Sequence, residues 1–196
     1  LTARGLANIA VNRWEMYDST KWNELFTTLT AASDGTKTLT AGTYAYVCPT
    51  NFRYPSSYVR TVSNGVSKYW QVIRPEKRAF YADSDVNVCW FTGSVKAGFY
   101  LNFNSNVTLT TGDTINYEYY KQATLFTTTT DTTEMEDPYM ISYFIAAHMA
   151  EDGIDPDLNS MAEARLEQMR TQNMSSLFGV SDDIPKSGES LPGFGY

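Results

Sequence analysis

Apolar side chains between residues 137 and 173 recur at helical spacing in two consecutive runs, DPYMISYFIAAHMAEDG and IDPDLNSMAEARLEQMRTQN, and each run carries its own start signal. Asp137 before Pro138 and Asp155 before Pro156 predict N-cap carboxylates followed by proline at the first helical position, where a missing N–H costs nothing. Gly153 predicts a left-handed end to the first helix, with Ile154 folding back on its last turn. A short connection makes the two helices antiparallel neighbours. In the first, Tyr139, Met140, Ile141, Tyr143, Phe144, Ile145 and Met149 leave almost no polar face, so cover is needed on more than one side. In the second, Leu158, Met161, Ala162, Arg165, Leu166, Met169 and Asn173 form a single stripe. At about 1.5–3 kcal/mol per buried large apolar side chain, the contact gains on the order of 10 kcal/mol before conformational entropy is subtracted.

Upstream, Leu6, Ile9, Ala10, Arg13, Trp14 and Tyr17 predict one helical face. Thr20 can cap a second short helix through Trp22, Leu25, Phe26 and Leu29. Trp14 and Trp22 are expected in the core, against the helix of residues 138–150. From residue 37 the chain changes to short runs rich in Thr, Tyr, Val and Phe broken by turns. These predict antiparallel strands over residues 37–40, 44–48, 58–62, 66–74, 78–81, 86–91, 99–103 and 114–120. Asn64-Gly65 marks a two-residue type I′ hairpin loop.

Because helical parts bracket the strands, the expected class is α+β: a helical scaffold with an inserted antiparallel β domain and an extended C-terminal arm. The boundaries are residues 1–32 for the N-terminal helices, 36–121 for the β domain, 122–136 for a linker, 137–174 for the helix hairpin and 175–196 for the arm. The linker, around TLFTTTTDTT, is polar and of low complexity. The arm is rich in Ser, Gly and Pro and cannot fold alone. It still carries Leu177, Phe178, Ile184, Leu191, Phe194 and Tyr196, more apolar content than a spacer needs.

Composition narrows the chemistry. The 196 residues are 42% hydrophobic, enough for one substantial core, and the net charge of -7 opposes a basic-patch grip on nucleic acid. No run reaches the length of a membrane span, which predicts a soluble protein, and the initial Leu suggests missing N-terminal sequence. Cys48 and Cys89 each lie in an apolar run and read as buried free thiols. His148, the only histidine, sits inside the apolar helix and reads as a core residue. No HExxH, GxSxG, P-loop or GxGxxG occurs, so the expectation is a protein that is not an enzyme and carries no cofactor. The carboxylates around the hairpin are explained by capping and do not follow a calcium-loop ladder. Tyr69, Trp70, Tyr81, Trp90, Phe99 and Tyr100 are candidates for a sugar-stacking platform, with core packing as the default.

The succession of features resembles a known family. A helix leads to Trp22-Asn23-Glu24-Leu25-Phe26, then to a Thr-rich strand and Tyr44-Ala45-Tyr46-Val47-Cys48-Pro49-Thr50-Asn51-Phe52. Tyr117-Glu118-Tyr119-Tyr120, Thr130-Asp131, the Asp137-Pro138-Tyr139 step and the Met-rich hairpin follow. This order, over residues 6–174, resembles the head-to-tail adaptor (connector) proteins of tailed bacteriophages. Where that pattern has leucine before its proline, this chain has Cys48. The resemblance implies a non-enzymatic virion protein of the neck, assembled in the host cytoplasm. It implies a ring of copies, typically twelvefold, beneath the portal protein, meeting a tail or nozzle protein and surrounding DNA that passes without sequence-specific binding. On this view Phe178, Ile184, Leu191, Phe194 and Tyr196 contact the portal or a neighbouring copy, and Tyr139, Tyr143 and Met149 line a subunit interface. The alternative is a carbohydrate-binding β module of a tail appendage.

Overall fold

The computed structural model describes residues 2–29, 37–128, 130–150 and 153–178. Helix α1 spans Ala3–Glu15, with the Thr2 hydroxyl accepting the Gly5 N–H at 3.2 Å. Asp18 and Ser19, both at positive φ, break the helical path after it. Seven strands follow: β1 (Phe26–Thr28), β2 (Ala45–Val47), β3 (Phe52–Ser63), β4 (Val66–Val72), β5 (Val88–Ser94), β6 (Gly98–Phe103) and β7 (Thr114–Lys121). Helices α2 (Tyr139–His148) and α3 (Pro156–Phe178) complete the described chain.

The strands form one curled sheet in the order β1-β7-β3-β4-β5-β6-β2. All pairings are antiparallel except that of β4 with β5, which is parallel. The expected architecture of a helical scaffold carrying an inserted antiparallel β domain is therefore corrected: a mixed sheet dominates the molecule. Two local errors lie behind this. Residues 22–29, expected as a helix, form only a single 3-10 turn at Asn23–Leu25 before entering β1. Thr27 and Thr28 are β-branched, and Phe26 packs on the Tyr120 ring at 5.1 Å, so the edge of β7 wins this segment for the sheet. Residues 78–81, expected as a strand, lie in a 3-10 helix, Pro75–Tyr81, begun by proline. A parallel pair cannot be joined by a tight turn, and this stretch carries the chain from β4 across to β5.

The β3–β4 hairpin follows its sequence signal. Asn64 (φ 47°) and Gly65 (φ 82°) both take the left-handed conformation, and Ser63 pairs with Val66 across the two-residue loop. Inside the curl, Phe52 is 1% exposed; it stacks on Phe91 (4.9 Å) and Tyr119 (5.5 Å) and meets Phe99 at 5.2 Å. Its neighbours come from β5, β6 and β7, which is how one sheet closes over its own core. Trp70 is fully buried beside Phe103 and donates its Nε1–H to the Thr61 hydroxyl at 3.0 Å.

A second core lies among the helices. Helix α2 packs between α1 and α3, which covers Met140, Ile141, Phe144 and Ala147 from within the same chain. Trp14 and Trp22 are buried there at a ring separation of 5.3 Å, and the Trp22 indole donates to the Trp14 carbonyl at 2.7 Å. Both side chains sit in the core containing Met140, Ile141 and Phe144, as the sequence predicts. Asp155 caps α3 through the N–H groups of Asp157 (2.9 Å) and Leu158 (3.1 Å). Asp137 accepts the Tyr139 N–H at 3.0 Å, although α2 begins one residue later than the Pro138 start predicted. Helix α2 also ends earlier, at His148. Gly153 does adopt positive φ (111°), but Ile154 is 60% exposed and does not fold back. The Asp155 N–H instead reaches the Ala147 carbonyl at 2.9 Å.

Glu15 ties the two cores together. Its buried carboxylate accepts the Ala123 N–H at 3.3 Å, just past β7, and meets Arg53 Nε of β3 at 3.4 Å.

Candidate functional site

Of the three interface residues predicted on α2, Tyr139 and Met149 are exposed (64% and 57%), and Tyr143 is half-buried against the helical core. Ile154 and Met161 are also exposed (60% and 50%), so large apolar groups stand in water at both ends of the hairpin. The sequence spacing places Met161 in the buried stripe of α3. The structure turns it outward and buries Ala162, Leu166, Met169 and Asn173 instead. Those positions, spaced 4, 3 and 4 apart, are the narrower helical stripe that a single neighbouring helix covers. Phe178 is the last residue of α3, and Ile184, Leu191, Phe194 and Tyr196 lie outside the described residues.

The concave surfaces along the described sheet include two at irregularities of its strands. On its outer face, Pro55 pairs with Tyr119 and Val59 with Tyr117, so residues 56–58 bulge opposite Glu118 alone. The bulge opens a groove of about 330 Å³ lined by Tyr58, Tyr69, Arg60, Asn116, Glu118 and Thr28. Tyr58 and Tyr69 are 50% and 60% exposed. Alternation along the strands places Tyr69 outward and Trp70 inward. The sugar-stacking platform drawn from the sequence is thus divided: Trp70 belongs to the core, while Tyr69 and Tyr100 remain on the surface.

The second concavity, of about 350 Å³, lies where β4 stops short of the full width of the sheet. Phe52, Phe91 and Phe99 form its floor, and Arg53 and Arg74 stand on its rim. Neither concavity was legible in the sequence, since each arises from a register shift or a strand end.

Both cysteine thiols are buried and free. Burial pushes the Cys48 thiol up to about 11, against the opposing pull of a hydrogen bond with Tyr117, and raises Cys89 further. Tyr117 is also held well above the usual phenol range, first by burial and then by Cys48. His148 Nδ1 lies 2.9 Å from the Phe144 carbonyl, with its ring stacked on Phe144 at 4.1 Å. Among the described residues no group of three His, Cys, Asp or Glu is arranged to hold a metal ion.

Two carboxylates of the polar linker are held by hydrogen bonds. Asp131 accepts the N–H and hydroxyl of both Thr127 (2.6 and 2.6 Å) and Thr128 (2.8 and 2.6 Å). Those four donors, the threonine hydroxyls foremost, hold its carboxyl well below the usual range. Burial pushes Glu134 up, but the Lys121 ammonium at 2.7 Å and the hydroxyl and N–H of Thr124 outweigh it and bring it down to about 2.

No protein-family profile and no curated protein sequence matches the chain.

Proposed function

We propose that this protein is a structural, non-enzymatic subunit of a bacteriophage neck, a head-to-tail adaptor that assembles as a ring of copies beneath the portal. The observation that carries the reading is the unburied apolar surface of the hairpin. Tyr139, Met149, Ile154 and Met161 are each at least half exposed after α2 has been covered by α1 and α3. Apolar groups left over once a chain has closed its own core suit contact with a further subunit. The order of sequence features over residues 6–174 supports the same reading, and the net charge of -7 suits a wall past which DNA slides without being held.

Electron microscopy of the protein mixed with portal rings tests this. A ring of added density is expected, and the double variant Tyr139→Glu, Met149→Glu should abolish it while the monomer stays folded by circular dichroism. Bare portal rings with the unmodified protein in excess would end the proposal. A second reading, a carbohydrate-binding module of a tail appendage, draws on the groove between Tyr58 and Tyr69. Heat released on titrating host glycans, and lost in Tyr69→Ala, would favour it over the adaptor.

A further inference from the structure

The apolar concavity at the end of β4 is a gap in the sheet. Strand β3 pairs with β7 along residues 52–55, and β4 joins β3 only from Tyr58 onward. On the other side, β4 meets β5 at just two positions, Gln71 with Val88 and Val72 with Cys89. Beyond Val72 the chain turns away into the 3-10 helix, while β5 continues to Ser94. The stretches of β3 and β5 that β4 would otherwise separate are left facing one another without it.

Among the described residues, one flank of this gap offers unpaired backbone. Alternate residues of an antiparallel ladder turn their backbone groups to opposite sides. The Asn104 N–H donates to the Val88 carbonyl at 3.1 Å, so Val88, Trp90 and Thr92 bond toward β6. Cys89 and Phe91 turn the other way. The Cys89 carbonyl accepts the Ile73 N–H at 2.9 Å, the last bond that the β4 side supplies. Phe91 presents its N–H and carbonyl to the same side, and among the described residues no backbone group meets them. The opposite flank is blunted by Pro55, which has no N–H to offer.

The chemistry around the gap selects its occupant. The floor is aromatic, from Phe52, Phe91 and Phe99. Arg74 is exposed on the rim and makes no ion pair with a described carboxylate; Arg53, beside it, shares its charge with Glu15. An extended segment that brings an apolar side chain with acidic neighbours satisfies the floor, the guanidinium groups and the open backbone together. In residues 179–196 an acidic residue directly adjoins an apolar one at a single place, Asp182-Asp183-Ile184. We propose that the gap is the acceptor for this segment of the chain's own C-terminal sequence, with Ile184 on the aromatic floor and the two aspartates on the arginine rim. This rests on the gap and on charge complementarity alone, and it assigns Ile184 to the chain's own sheet in place of the portal contact that the adaptor resemblance implies.

Amide hydrogen exchange on the full-length chain reads the contact directly. The Phe91 N–H should be protected, and the variant Asp182→Lys, Asp183→Lys, Ile184→Asp should speed its exchange by roughly tenfold or more. Arg74→Glu should do the same, and combining Arg74→Glu with Asp182→Lys and Asp183→Lys should restore protection. Because these substitutions lie outside both cores, circular dichroism should be unchanged. Exchange at Phe91 that is equally fast in the unmodified chain and in the tail variant overturns the proposal, as does charge reversal at Arg74 that leaves Phe91 protected.

Discussion

The helical cluster and the interior of the sheet are both filled with large apolar side chains, yet they are closed by different means. Among the helices, Leu166, Met140 and Trp14 meet on rods whose backbone bonds are satisfied internally, so each helix can shift against its neighbours. In the sheet, Phe52 sits among side chains from β5 and β6, which pair with each other, and from β7, which pairs with Phe52's own strand. A void there cannot be filled by sliding one element without breaking a ladder. The difference teaches that equal burial does not mean equal tolerance: the sheet interior is the stiffer half.

The largest expected effect breaks that comparison if it fails. Phe52→Ala should cost about 3–5 kcal/mol and Leu166→Ala about 2–4, measured by urea unfolding, because the helices can close part of the space that leucine leaves. A loss at Leu166 equal to or above that at Phe52 would mean that the two cores relax alike. A smaller effect compares the local signals of the two regions. Asp155→Ala removes the cap of α3 and should cost about 1 kcal/mol. Gly65→Ala, at φ 82° with open space around it, should cost about 1 kcal/mol from backbone strain alone. Both should leave near-ultraviolet circular dichroism unchanged. The smallest effect is set by pH. Glu134, lowered to about 2 from an ordinary 4.5, contributes stability that is present above pH 4.5 and lost as pH falls toward 2. Glu134→Gln should therefore make the urea midpoint fall less between pH 5 and pH 3 than in the unmodified chain.

The same contrast explains which parts of the fold could be read in advance. Helix α3 was legible because Asp155-Pro156 and its apolar stripe are signals within one segment, and the β3–β4 hairpin because Asn64-Gly65 dictates its own turn. Strand β1 was not: Trp22-Asn-Glu-Leu-Phe reads as a short helix until the edge of β7 is available to pair with Phe26–Thr28. The exposed Tyr139 and Met149 could be anticipated from an over-apolar helix. The exposure of Met161 and Ile154 depends on which face α3 turns to α2 and on how the connection closes.

By itself the sequence determined where the periodic segments lie, that Trp14 and Trp22 pack against α2, and that the hairpin turns at Asn64-Gly65, because apolar spacing, caps and left-handed turns act over a few residues. Only the tertiary structure decided the order and mixed direction of the strands, the bulge opposite Glu118 and the gap beyond Val72. Those depend on which backbone edges, far apart in the chain, find one another. Alternating side chains along a strand fix its faces but carry no information about its neighbour.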